Sequence, residues 1–428
     1  MKEFVNPSEG LCGTIELPPD KSISHRSAMF AALAEGESVI TNFSEAADPQ
    51  STLHVLKKMG KGVTEYGTTV KIKGTGRDGF STPELPLDCG NAGTLMRLLS
   101  GIVGGAGLKV TLTGDDSLRS RTMKRIIDPL QQMEVKIEAR EDNYAPLIFK
   151  GTERITPITF ALPIPSAQLK SCILLAGLYG QESTKVIEEI PSRDHTERML
   201  QLPIEQKEDK KIISSSRSLS IPNQSIRVPG DFSAAAFWLV AGSIVPNSEI
   251  IMPGTGLNPT RTACLNILTE MGADISIEKE KDPASEPSGT ISVRSNPLQA
   301  IRISPEVIPN CIDELPILAV AMLFAEGTSE ISGAEELRHK ETDRIKAMGE
   351  VFTAAGADFT ERDDGFIIEG NPDFRPEPAL YKSYDDHRVA MAAAILSLMS
   401  TGQSTIQNAD CARISYPRFY KHLQQLGS

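Results

Sequence analysis

Cysteine is scarce in this chain and scattered. Six occur among 428 residues, with no C-x-x-C pair and no Cys/His spacing of the kind that holds a metal. A disulfide framework and a structural zinc site are therefore excluded, and free buried thiols in a reducing compartment are expected. Long apolar runs are missing too. The longest, near Val389 to Met399, falls well short of the ~20 residues that a membrane-spanning helix needs. Met1 to Pro7 holds no apolar h-region, so no signal peptide is expected. Basic residues are outnumbered, 44 Lys and Arg against 56 Asp and Glu, for a net charge of −12. This argues against nucleic acid as a partner, and the cations the chain does carry must act locally, in a cleft whose low-dielectric walls focus their field. G-x-x-x-x-G-K-[ST] does not occur, so a P-loop nucleotide cradle is unsupported. A cytoplasmic protein with neither nucleic acid nor membrane as partner is expected.

What the chain does have is one stretch that recurs. Asp20-Lys21-Ser22-Ile23-Ser24-His25-Arg26-Ser27 is polar, doubly basic and rich in hydroxyls, and it runs directly into the apolar segment Ala28 to Ala34. This reads as the N-terminus of a buried helix, with Asp20 or Ser22 as N-cap. The free N–H groups and positive dipole end of such a helix attract anions, and Lys21 and Arg26 add full charges of the same sign. Five further segments repeat the pattern: Asn91 to Val103, Ser166 to Gly177, Gly230 to Val240, Cys311 to Leu323 and Asp385 to Leu396. Any one alone reads as an ordinary capped core helix. Six at a period of roughly 70 residues form an internal repeat and imply that several polar helix heads converge.

Each repeat also carries a second, amphipathic helix. Examples are Ser51 to Gly60 (capped by Ser or Asp), Thr260 to Gly272, Lys346 to Gly356 and His422 to Gly427. Strand-like runs follow at Val63 to Lys73, Val135 to Ala139, Ala273 to Ile277 and Phe366 to Glu369. A unit of this size cannot bury its own faces, so units must pack helix against helix in an α/β fold. Turn chemistry at Leu17-Pro18-Pro19-Asp20 and between Ile221 and Gly230 marks two crossings. The expected organisation is a first lobe of residues 20–228 and a second lobe of 1–19 plus 229–428, joined by a two-stranded hinge around a cleft that closes on ligand. The charged stretch Glu278 to Ser288 reads as a solvated surface excursion.

Four motifs carry candidate chemistry. Lys340 and Arg344 are four residues apart, hence on one face if helical; the pair reads either as a solvated charge ladder or as cations that tune Glu341 for proton transfer. Asp313 heads an apolar helix, either as a simple N-cap or as a reactive carboxylate. Asp385-Asp386-His387-Arg388 groups carboxylates with His and Arg but lacks the further spacing of a metal site. Arg119-Ser120-Arg121 follows the strand-like Lys109 to Thr113, in a polar loop that reads either as a surface turn or as an anion contact.

At these residues the chain resembles the 5-enolpyruvylshikimate-3-phosphate synthases. The resemblance lies in Lys21-Ser22-x-Ser24-x-Arg26, Asn91-Ala92-Gly93-Thr94-x-Met96-Arg97, Lys340-Glu341-Thr342-Asp343-Arg344 and Asp386-His387-Arg388, in the family's order and over nearly the whole chain. It implies two lobes, each of three βαβαββ units in an inside-out α/β barrel, and transfer of the enolpyruvyl group of phosphoenolpyruvate to the 5-hydroxyl of shikimate 3-phosphate with release of phosphate. Lys21, Gly93, Arg121, Gln168, Arg344 and Arg388 would hold phosphoenolpyruvate. Lys21, Ser22, Arg26, Ser166, Ala167, Gln168, Arg193, Asp313 and Lys340 would hold shikimate 3-phosphate. Asp313 would accept the 5-hydroxyl proton, and Glu341 with Lys21 and His387 would manage the proton at the methylene carbon, without cofactor or metal, in a monomer. Four positions depart from the pattern. Leu98 replaces a common Pro, Ala167 a second Ser and Glu336 a common Asn, while Ile414 stands where many members carry a phosphoenolpyruvate-binding Lys, leaving Arg413 beside it with a weak role at most. The runners-up are a UDP-N-acetylglucosamine enolpyruvyl transferase, whose reactive loop cysteine has no counterpart between Thr113 and Met123, and a non-catalytic anion-binding relative.

Overall fold

The computed structural model describes residues 1–280 and 286–427. They divide into two compact units, one of Pro19–Val228 with Glu286, the other of Met1–Pro18 and the chain from Pro229 on. Within each unit one pattern recurs: a buried helix, a second helix and a small sheet. The buried helices of the first unit are α1 (Lys21–Leu33), α2 (Gly93–Gly105) and α3 (Ala167–Gly177). Those of the second are α4 (Phe232–Ile244), α5 (Leu315–Leu323) and α6 (His387–Ser397). Beyond their first turns, Ala, Leu, Ile and Met occupy nearly every side of these helices, so each must be enclosed rather than laid on a surface. Every residue of α4, α5 and α6 is buried. Each Phe, Leu or Ile so placed, such as Phe237, Leu239 or Ile317, contributes ~1.5–3 kcal/mol.

Four of the six helix heads are tied by a side chain. Asp20 accepts from the Ile23 N–H at 2.8 Å, Ser166 from Leu169 at 3.4 Å, Asp231 from Ser233 at 2.8 Å and Asp386 from Arg388 at 2.7 Å. Each such cap is worth about 1 kcal/mol. The caps of α2 and α5 are Ala92 and Glu314, with no side-chain bond to the helix. Asp313 is thus not an N-cap. It lies in the turn between Ile308–Cys311 and α5, because the chain re-enters helix only at Leu315.

The sheets of the first unit have four strands each. Ile226–Arg227, Glu35–Thr41, Thr69–Thr75 and Gly62–Tyr66 form one; Leu87–Asp88, Lys109–Thr113, Tyr144–Lys150 and Ile137–Arg140 the next; Thr159–Ala161, Thr184–Glu188, Lys210–Ser215 and Ile204–Lys207 the third. In each the first pair is parallel and the rest antiparallel, the same topology three times. In the second unit, Cys12–Thr14 runs parallel to Glu249–Ile251, and Lys2–Val5 pairs antiparallel with Ser404–Gln407. The first residues of the chain therefore complete sheets built by its second half.

Three local expectations need correction. The helix expected from Ser51 begins at Ala47 behind an uncapped Ala46; Asp48 and Pro49 suit a first turn, where a missing proline N–H costs nothing, and the Ser51 hydroxyl instead donates to the Ala47 carbonyl at 3.0 Å. Arg119 and Ser120 lie in a short helix, Asp116–Ser120, capped by Asp115, rather than in a loop. Lys340 and Arg344 do not share a helical face. A 3-10 turn, Glu335–His339, ends before Lys340, and Asp343 caps a new helix, Arg344–Ala355. Part of the Glu278 to Ser288 excursion lies outside the described residues.

Helices α2 and α3 come close at Gly101, where a Cβ would stand 2.2 Å from the Cys172 carbonyl oxygen. One turn on, a Cβ at Gly105 would meet the Tyr179 ring at 2.4 Å. Gly101→Ala must push the helices apart in a close-packed core, at ~1–3 kcal/mol. The expected result is a lower urea midpoint with an unchanged slope; an unchanged midpoint would show that the helices separate at no cost.

Candidate active site

The polar helix heads of each unit gather its charged motifs. In the first unit, Lys21 opens α1 and its ammonium lies 2.9 Å from Asp48 Oδ2. Burial pushes the Asp48 carboxyl up, but Lys21, His25 and Arg121 outweigh this and hold it below the usual carboxylate range. His25 bonds Thr52 Oγ1 through Nδ1 at 2.6 Å, and burial draws its imidazole down to about 3 against the pull of Asp48. It is neutral at physiological pH and serves packing. Arg26 is only 3% exposed. Its Nε donates to Thr196 Oγ1 at 2.9 Å, Nη2 to Ser171 Oγ at 3.3 Å and Nη1 to the Ser22 carbonyl at 3.2 Å.

At the head of α2, Arg121 donates to Asn91 Oδ1 at 2.6 Å and to Ser117 Oγ at 3.2 Å, while Asn91 donates to Asp115 at 2.8 Å. Gly93 opens the helix beneath two guanidinium groups: a Cβ there would stand 3.1 Å from Arg97 Nη1 and 3.5 Å from Arg121 Nη1. Glycine keeps that approach free. Gln168, in the first turn of α3, accepts from Arg97 at 2.6 Å and donates to Thr94 at 3.0 Å. Ser166 caps that helix and Ala167 is its first residue. Arg193 sits half-buried in the segment before the helix His195–Leu200, close enough to Arg26 that the two charges repel. Lys21, Ser22, Gly93, Arg121, Ser166, Ala167, Gln168, Arg26 and Arg193 therefore all lie at or beside helix heads of this unit.

In the second unit one buried guanidinium organises the group. Arg344 is 2% exposed and donates from Nε to Asp386 Oδ2 at 2.8 Å, from Nη2 to Glu341 Oε2 at 2.7 Å and from Nη1 to Asp313 Oδ1 at 3.4 Å. Burial alone would lower its pKa; Asp386, Glu341 and Asp313 reverse that and raise it. Lys340 Nζ lies 3.8 Å from both Asp313 and Glu336. The exposures of the three carboxylates differ: Asp386 0%, Asp313 23%, Glu341 40%. Arg388, the second residue of α6, donates to the Ser233 carbonyl at 3.2 Å and stacks over the Phe237 ring at 5.7 Å. Asp386 both caps α6 and orients Arg344, and among the described residues no group of three or more His, Cys, Asp and Glu side chains is placed to hold a metal. Arg413 and Ile414 end the 3-10 turn Ala409–Ile414 and are exposed; Arg413 instead lines a cavity of about 210 Å³ with Asp410, Tyr416 and Tyr420.

Sequence reasoning did not single out Asp48, Thr196 or Lys170 as part of these groups, and it gave Arg97 no role beyond its place in the Asn91 to Arg97 motif. For Lys170 a signal existed, a charge inside an otherwise apolar helix, which survives burial only when paired.

Arg, Lys and helix-head donors held on fixed partners make sites for small, multiply charged anions. The fold is that of the enolpyruvyl transferases: a solved enolpyruvyl transferase from Streptomyces tendae superposes with a TM-score of 0.80 over 99% of this chain and 97% of its own, at 17% identity. An EPSP synthase structure from Acinetobacter baumannii matches with a TM-score of 0.90 at 36% identity, covering 100% of this chain and 98% of that one. A 3-phosphoshikimate 1-carboxyvinyltransferase of Salinibacter ruber is 48% identical over 431 residues, covering 100% of this chain and 99% of its own length. The family profile described as EPSP synthase (3-phosphoshikimate 1-carboxyvinyltransferase) matches residues 5–423. The chain belongs to the EPSP synthase family.

The depressed Asp48 carboxyl makes a stability prediction. A group whose folded pKa lies below its unfolded value stabilises above the unfolded pKa and loses that effect as pH falls through the folded one. Asp48→Asn should therefore lower the urea midpoint at pH 7, and the gap to the wild type should close below about pH 4. A gap that persists to pH 2 would assign the effect to shape rather than charge.

Proposed function

We infer that this chain transfers the enolpyruvyl group of phosphoenolpyruvate to the 5-hydroxyl of shikimate 3-phosphate and releases inorganic phosphate. The observation that carries the reading is the Arg344 group. One buried guanidinium holds Asp313 and Glu341, both open to solvent, beside Lys340, in a chain that matches the EPSP synthases end to end.

The division at Pro18/Pro19 and Val228/Pro229 supports taking residues 20–228 as one lobe and 1–19 with 229–428 as the other. Lys21, Gly93, Arg121, Gln168, Arg344 and Arg388 are assigned to phosphoenolpyruvate. Lys21, Ser22, Arg26, Ser166, Ala167, Gln168, Arg193, Asp313 and Lys340 are assigned to shikimate 3-phosphate. Asp313 takes the proton of the 5-hydroxyl as that oxygen attacks C2 of phosphoenolpyruvate, and Glu341 with Lys21 delivers a proton to C3. The tetrahedral adduct then loses a proton from C3 and expels phosphate, so no bond to the enzyme forms. Three carboxylates already surround Arg344, and Glu341 is the most exposed. Its bond to Nη2 is the one an incoming carboxylate replaces, which frees Glu341 for proton transfer. A monomer is taken as the working unit, and the free cysteines support a reducing, cytoplasmic setting.

Phosphate release, measured with each substrate omitted in turn, should require both phosphoenolpyruvate and shikimate 3-phosphate and should survive EDTA. Turnover with a UDP-sugar in place of shikimate 3-phosphate, or no turnover at all, would overturn the reading. Asp313→Asn should lower kcat by about 10²–10⁴-fold, since an amide cannot take up the proton, with much less effect on phosphoenolpyruvate binding. Retention of most of kcat would remove Asp313 from the chemistry.

A further inference from the structure

Lys170 is fully buried in α3 and has no part in the assignments above. Its ammonium lies 3.0 and 3.1 Å from the two oxygens of Glu188 and 2.7 Å from Glu197 Oε1, and both carboxylates are almost wholly enclosed. Glu188 ends the strand Thr184–Glu188; Glu197 lies in the helix His195–Leu200. The segment between them carries Arg193. It is also tied from within, because Glu188 Oε1 accepts from the Ser192 N–H at 2.8 Å and from Ser192 Oγ at 2.5 Å. Both ends of the Arg193 segment thus rest on one ammonium.

Stability does not explain such a cluster, since a buried ion group is often matched or bettered by apolar side chains of similar volume. What charged groups supply and apolar ones do not is direction. The residues next to the cluster use it. Ser171 follows Lys170, Thr196 precedes Glu197, and their hydroxyls lie 2.7 Å apart while both accept from Arg26. Burial draws the Arg26 guanidinium down to about 10, and Glu197 is foremost among the carboxylates that keep it charged, against the repulsion of Arg193.

We propose that Lys170 is a positioning residue for shikimate 3-phosphate: through Glu188 and Glu197 it fixes both the segment that carries Arg193 and the hydroxyl pair that holds Arg26, so that the free enzyme presents both guanidinium groups, already placed, to that substrate's anionic substituents. The proposal rests on the assignment of Arg26 and Arg193 to shikimate 3-phosphate. Neither is assigned to phosphoenolpyruvate, so a loosened cluster weakens the hold on one substrate only.

Glu188→Gln keeps the shape of the cluster and leaves Lys170 paired with Glu197; Lys170→Met removes the ammonium altogether. The KM for shikimate 3-phosphate should rise about 10-fold in Glu188→Gln and further in Lys170→Met, with kcat within about threefold and the KM for phosphoenolpyruvate unchanged, the pattern of lost binding rather than lost chemistry. Calorimetric binding of shikimate 3-phosphate alone should weaken in parallel. A lower melting temperature with an unchanged KM for shikimate 3-phosphate would make the cluster merely structural, and equal changes in both KM values would overturn its selectivity. Should Lys170→Met not fold, Glu188→Gln decides. A wild type inert towards shikimate 3-phosphate would sink the functional reading itself, whereas an active wild type and a variant of unchanged affinity would sink this proposal alone.

Discussion

A guanidinium taken out of water must be met by carboxylates and hydrogen-bond acceptors, or the burial is prohibitively costly. Of the buried arginines, Arg344 and Arg26 carry that constraint at the candidate site. Arg344 is surrounded by Asp386, Glu341 and Asp313. Arg26 is held by two hydroxyls and a carbonyl, with Glu197 and Asp20 in electrostatic reach. Both sit in the first two turns of helices whose inward faces are packed in apolar cores, so the cores behind them cannot move away. The packing of the helices and the direction of the charges are therefore one problem. A loss of core packing at the head of α1 or of the Arg344 helix would displace a donor, and removal of a carboxylate would leave a buried charge without its counterpart.

The same constraint explains how a chain with a net charge of −12 can be built to receive anions. Some of the cations are drawn into the helix heads, where they are already engaged by a carboxylate or amide: Lys21 by Asp48, Arg97 by Gln168, Arg344 by three acids. Under the proposed function, an entering phosphate or carboxylate would exchange with the more exposed of these partners instead of meeting a bare positive cluster. Repulsion among the cations in the free protein is thereby limited, and the donors keep their orientation before ligand arrives.

The departures from the family's motifs are read differently once their surroundings are known. Leu98 is fully buried among the side chains of α2 and its neighbours, so its role is in core packing. Ala167 begins α3 beside the capping Ser166, a position where the backbone rather than the side chain faces outward bonding. Glu336 lies 3.8 Å from Lys340 and supplies a carboxylate partner there. Ile414 is 52% exposed at the end of its turn, and nothing in the fold explains an apolar residue there.

By itself the sequence determined what depends on neighbours along the chain. Six apolar helices with polar heads, a cap at Asp20 or Ser22 on the first of them, the strands that follow and the α/β class are all local consequences of periodicity and capping chemistry. Local rules failed where the chain breaks its own pattern. The four-residue spacing of Lys340 and Arg344 suggested one helix, yet a 3-10 turn ends and a new cap begins between them; Asp313 looked like a cap, yet its helix starts later. Only tertiary structure decided which charge meets which. Arg344 and Asp386 are separated by 42 residues, Arg26 and Thr196 by 170. No periodicity encodes such pairings, because burial selects them only after the helices have packed.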